Sequence, residues 1–185
     1  MNKTLITFFT ILFCITSSFG WSVTWDDIVW RGSLYYKKFS DVPFTGKVEG
    51  WKQGLMKNGK KEGSWISYYD NGQLQEKSNY KNGRPHGFAI GYYKNGTIHY
   101  ETNWKNGQEH GDWRDNYEYG TIRRKGQYKF GKMEGYWEYY HKNGELNEKL
   151  NYQNGKLEGF QEYWNSNGAR MSTTGMYKNG KKISD

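Results

Sequence analysis

Residues 57–80 read KNGKKEGSWISYYDNGQLQEKSNY and residues 81–104 read KNGRPHGFAIGYYKNGTIHYETNW. The two blocks align without a gap, and Asn-Gly falls at the same two places in each. An Asn-Gly pair between strand-forming residues is the strongest short hairpin signal, because both central positions of a type I′ turn need φ > 0. The pair recurs nine times, at Asn58, Asn71, Asn82, Asn95, Asn106, Asn143, Asn154, Asn167 and Asn179, with steps that alternate 13 and 11 as far as Asn106. Tyr119-Gly120 and Phe130-Gly131 keep the glycine and the spacing at the two missing beats.

Working outward, units begin at Lys57, Lys81, Lys105, Lys129 and Gln153, a period of 24 that marks a repeat array. Each unit reads as turn, strand, turn and return strand. Gly63, Gly87, Gly111, Gly135 and Gly159 open the outgoing strands, where glycine signals a bulge or a close backbone approach. Alternation sends Trp65, Ser67 and Tyr69 to one side and Ser64, Ile66 and Tyr68 to the other. Helix is disfavoured, since glycine interrupts every candidate stretch and no 3.6-residue apolar period survives. Pro43 and Pro85 both fall outside strand interiors. The fold expected is all-β: an elongated single-layer antiparallel meander of tandem 24-residue hairpin repeats.

Three segments follow. Residues 1–20 carry Lys3, an apolar run from Leu5 to Ile15 and Ser18-Phe19-Gly20, which reads as a signal peptide cut after Gly20. A retained membrane anchor would need about 20 apolar residues, roughly twice this run. Residues 21–56 read as a cap of irregular strands, Leu34 to Phe39 and Phe44 to Val48, ending in a shortened repeat. Residues 57–185 hold the repeats and a charged end at Lys178, Lys181, Lys182 and Asp185. Cys14 is the single cysteine and lies in the leader, so cleavage leaves a protein without thiol or disulfide. The expectation is an exported, periplasmic or secreted, monomeric protein. The sequence holds 27 Lys and Arg, one of them Lys3, against 19 acids, so the processed chain carries +7.

The motifs Tyr-Lys-Asn-Gly-x-x-x-Gly at Tyr80 to Gly87 and Tyr-Tyr-x-Asn-Gly-x-Leu at Tyr68 to Leu74, with its counterpart at Tyr92 to Ile98, resemble the variant class of MORN repeats. The opening Leu34-Tyr35-Tyr36 with Pro43-Phe44-Thr45-Gly46 is similar to bacterial YwqK-type antitoxin components. The likeness spans about residues 33 to 182. It implies an elongated hairpin sheet and a role in binding or scaffolding, with protein or membrane lipid as partner.

Little in the sequence supports chemistry. His86 and His110 sit in equivalent places two strands apart, about 9.5 Å at the strand spacing, whereas zinc holds ligands at about 2 Å. A triad or carboxylate pair needs one unique constellation, and a 24-residue period multiplies every local environment. The expectation is therefore no enzyme, no metal and no cofactor. Two binding features remain. Lys57, Lys81, Lys105, Lys129 and Lys178 precede equivalent turns and form a column along one rim, suited to anionic lipid or an envelope polymer, or equally to solubility. Trp65, Trp113 and Trp137, with Tyr68, Tyr92 and Tyr140, supply rings for a partner or for covering the sheet. The third unit breaks the pattern at Asp112, Arg114, Asp115 and Asn116, and an irregular unit is where an array has a unique address. A partner protein is the leading expectation, met at Trp113 and Arg114 among others. Nucleic acid is disfavoured.

Overall fold

The computed structural model describes residues 22–172 and 174–184; the leader, Cys14, Gly20 and Asp185 lie outside them. As the period requires, consecutive hairpins form one antiparallel sheet of 15 strands, from Gly46–Val48 at one edge to Lys181–Ser184 at the other. A second, two-stranded sheet pairs Ile28–Arg31 with Leu34–Lys37. Trp25–Asp27 forms one 3₁₀ turn, started by the Asp27 carboxylate, which accepts from the Thr24 backbone N–H and hydroxyl, both at 2.9 Å.

The Asn-Gly turns are of two kinds. At Asn58, Asn82, Asn106, Asn154 and Asn179 the asparagine and its glycine are both left-handed, as is the pair Phe130-Gly131. These are the expected type I′ turns. At Asn71, Asn95, Asn143 and Asn167 only the following glycine has positive φ. There the Gly72 N–H bonds the Tyr69 carbonyl at 2.9 Å, and Asn71 accepts from the Gln73 N–H at 3.1 Å through Oδ1. One sequence pair thus serves two geometries, because Asn both tolerates the left-handed region and caps a nearby backbone N–H.

The second kind of turn also ties repeats together. The Asn71 amide donates to the Lys94 carbonyl at 3.2 Å, Asn95 to Glu118 at 3.0 Å and Asn143 to Ser166 at 3.0 Å. Tyr119 takes the intervening step, its hydroxyl reaching the Lys142 carbonyl at 3.0 Å. A parallel ladder joins Tyr69 to the Tyr92 carbonyl, Tyr93 to Asn116 and Tyr117 to Tyr140.

The core is a single file of side chains crossing the front face. Register places Val48, Gly54, Trp65 and Ser78 opposite one another in turn, and Ala89, Thr102, Trp113, Gly126, Trp137 and Leu150 continue the line. Trp65 and Trp137 each lie across the glycine opposite, Gly54 and Gly126. Their indole N–H groups donate to the Leu55 carbonyl at 3.1 Å and the Gln127 carbonyl at 3.0 Å. At the N-terminal end Trp25, Ile28, Tyr35 and Phe44 close over Val48, Met56 and Trp65. The repeat glycines Gly63, Gly87, Gly111, Gly135 and Gly159 all have positive φ and bulge the outgoing strands, as their place in the sequence suggests.

Candidate functional site

The lysine column follows from the type I′ turns, which all project from one long edge. Lys57, Lys81, Lys105, Lys129 and Lys178 are exposed there. Sequence reading missed the residue across each turn: Lys57 pairs with Lys60, Lys81 with Arg84, Lys129 with Lys132 and Lys178 with Lys181. Lys105 faces Gln108, and Gln153 faces Lys156. Ten of these twelve flanking positions are therefore basic, and none of the ten forms an ion pair among the described residues. The nearby carboxylates of Glu62, Glu134 and Glu158 accept turn N–H groups of Asn82, Asn154 and Asn179 at 2.8–2.9 Å. His86 and His110 stand in the same role, their Nδ1 atoms accepting from Asn106 at 3.5 Å and Phe130 at 3.4 Å. Those histidines are turn acceptors, and no His, Cys, Asp and Glu cluster able to hold a metal occurs among the described residues.

The ring residues separate into two groups. Trp65 and Trp137 are 2% and 0% exposed, so the structure withdraws both from any contact surface. Their indoles need the bare backbone of a glycine, and the sequence supplies one opposite each. Trp113 is half-buried on the front face, where Arg124 lies 4.5 Å over its ring. Tyr68 and Tyr140 turn to the back face, Tyr68 bonded by Gln53 at 3.3 Å and Tyr140 bonding Glu138 at 2.6 Å. Tyr92 holds the place equivalent to Tyr68. Arg114 pairs with Glu101 at 2.5 Å.

On the back face the structure exposes rings that sequence reading passed over. Phe88, Tyr136 and Phe160 are 46%, 62% and 42% exposed and stand one residue after the repeat glycine in their units. Asp112 occupies the same place in the third unit and accepts from Gln127 at 2.8 Å. The signal was the period itself, followed at the residue after the glycine.

The front face holds a groove beside the irregular third unit. Asp115 is buried, its Oδ2 paired with Arg123 and with Arg124 at 3.2 Å. Burial pushes the Glu109 carboxyl above the usual carboxylate range. Tyr100 lies over Gly91 and donates to Glu76 at 2.8 Å, and burial with that carboxylate raises its phenol. One repeat earlier Lys61 is 8% exposed, its ammonium 4.6 Å from the rings of both Trp65 and Tyr80. Burial and the Lys52 charge pull it down to about 8.

Comparison with curated proteins gives no match. Residues 61–82, 85–106 and 133–154 match the family model of the MORN repeat variant. The match covers neither the third unit, where Asp112, Asp115 and Tyr119 stand, nor the fifth. The chain is thus a hairpin-repeat protein in which three stretches, about a third of its length, are similar to the MORN repeat variant.

Proposed function

We propose that this is an exported, monomeric, non-enzymatic scaffold that binds another protein. The observation that carries the reading is the back-face set of Phe88, Tyr136 and Phe160, rings exposed to solvent at the same place in the second, fourth and fifth units. Large rings dominate interface energies, and side chains fixed on strands lose little freedom on binding. Export is supported by the character of residues 1–20. The likeness of the opening segment to YwqK-type antitoxin components belongs to this proposal and agrees with a protein partner. The test is capture from the organism's own envelope extract, comparing the wild type with Phe88→Ser/Tyr136→Ser/Phe160→Ser and with Trp113→Ala/Arg114→Ala. Loss of a specific partner with the first variant supports the back face, and loss with the second moves the address to the third unit. An unchanged captured set in both discards the reading.

A second reading, attachment to an anionic lipid surface or envelope polymer, is favoured by the ten basic residues along the turn edge. Each lysine near such a surface contributes up to about 1 kcal/mol, screened by salt. Sedimentation with phosphatidylglycerol vesicles tests it: pelleting at low salt that disappears at high salt supports the rim, and none at low salt removes it.

A further inference from the structure

The front-face file places an indole at Trp65, Trp113 and Trp137, yet the second repeat carries Ala89 at that position. Around this small residue lies a cavity of about 490 Å³ whose lining includes Tyr80, Tyr100, Trp104 and Trp113. An adjoining cavity of about 350 Å³ shares Glu76, Ser78, Tyr80, His99 and Tyr100 with it, so the two form one groove running across the hairpins. Thr102 and Asp115 also line the larger cavity, and they are 3% and 2% exposed. Among the described residues the Thr102 hydroxyl and Asp115 Oδ1 have no hydrogen-bond partner, as is also true of Asn116 Oδ1, which lies outside the lining. Buried polar groups are almost always satisfied, so two orphans lining one ring-walled groove point to a ligand that satisfies them.

The groups define what that ligand must be. Asp115 Oδ1 and Glu109 accept, the Arg124 guanidinium donates, and the Thr102 hydroxyl does both. Donors and acceptors stand side by side over aromatic faces. A purely apolar ring would leave Thr102 and Asp115 unmet. Glu76, Glu109 and Asp115 oppose a phosphate or carboxylate, while Arg123 and Arg124 at the same wall oppose a free cation. A sugar ring answers all of these conditions, since adjacent hydroxyls donate and accept and the C–H face is apolar. We propose that the groove at Ala89 binds a neutral pyranose unit of a glycan, with Thr102 and Asp115 holding its hydroxyls and the surrounding rings packing its C–H face. The adjoining cavity takes the next unit, so the ligand is a chain lying across successive hairpins. This site lies on the front face and is independent of a partner on the back face.

The test uses a printed array of mono- to pentasaccharides built from hexose, N-acetylhexosamine and deoxyhexose units, with sulfated and uronic-acid members alongside. The purified protein is compared with Ala89→Trp, which fills the groove, and with Thr102→Val, which keeps its shape but removes the hydroxyl. Expected is retention of a subset of neutral glycans, weakened at least about tenfold in both variants while their melting curves remain cooperative. If Ala89→Trp fails to fold, Thr102→Val alone decides. No neutral glycan retained, or retention unchanged in the folded variants, overturns the proposal. Retention of sulfated and uronic members only also overturns it and assigns glycan binding to the basic rim.

Discussion

The indole of Trp65 lies so close over Gly54 that a Cβ on that glycine would sit 2.5 Å from a ring carbon. Trp25 stands on the other side, its ring 5.7 Å from that of Trp65 at a near-perpendicular angle, so the indole is held between backbone and ring. Gly54 has no positive φ, and its role is therefore purely steric. Gly54→Ala is expected to destabilise by about 1–3 kcal/mol through overpacking and to change the near-ultraviolet circular dichroism as the indole is displaced. Gly72→Ala makes the contrast: open space surrounds it but its φ is +82°, so it is expected to cost about 1 kcal/mol with that spectrum unaltered.

Lys61 gives the protein an alkaline dependence of stability. Its amine releases its proton at about 8 in the folded state, against 10.5 for the ordinary side chain, because burial and Lys52 disfavour the charge. Between those values the unfolded chain binds the extra proton, so stability from this site rises with pH by up to about 1.4 kcal/mol per pH unit. Below pH 8 both states are protonated and the slope vanishes. Urea unfolding at pH 7, 8, 9 and 9.5 is expected to show this rise in the wild type and a flatter profile in Lys61→Met. Equal slopes would place the Lys61 amine in water.

Phe130 occupies the first position of a type I′ turn at φ +51°, where every other such turn in the repeats has Asn. A bulky side chain is strained there, and the packing of its ring 4.7 Å from that of His110 recovers only part of the cost. Phe130→Asn is expected to raise stability by about 0.5–1 kcal/mol, measured as a higher urea midpoint with an unchanged slope.

At the basic edge, Lys129 and Lys132 face each other across the same turn. Like charges in this position oppose pairing, so Lys132→Glu is expected to stabilise by about 0.2–1 kcal/mol. If the edge attaches to anionic surfaces, the same change weakens vesicle pelleting at low salt. A variant both more stable and weaker in binding would show the basic pairs kept at a cost to the fold.

The architecture was legible because turn chemistry and a 24-residue period are local: Asn-Gly states a reversal without reference to the rest of the chain. Which face closes over its rings was not. Alternation puts Trp65 and Ser67 together but says nothing of what covers them, since that depends on Gly54 in the strand before and on Trp25 in the 3₁₀ turn near the N-terminal end. A trace did exist, as Gly54 precedes Trp65 and Gly126 precedes Trp137 by the same 11 residues. The basic column was half visible: the lysine before the turn stands out in the repeat, whereas Lys60, Arg84, Lys132, Lys156 and Lys181 join it only through the hairpin register that sets them across their turns. The orphaned Thr102 and Asp115 could not be read at all. Their isolation is set by neighbours from several strands, and the sequence marks only that Ala89 and the third unit depart from the pattern.

The side-chain rungs from Asn71, Asn95, Tyr119 and Asn143 each span 23 residues and end on a main-chain carbonyl, a group every residue carries. Such couplings make the array modular under recombination. Insertion or excision of one whole block, residues 129–152 for example, returns every rung to an acceptor of the same kind, so the length of the sheet can change between generations while its cross-section stays fixed.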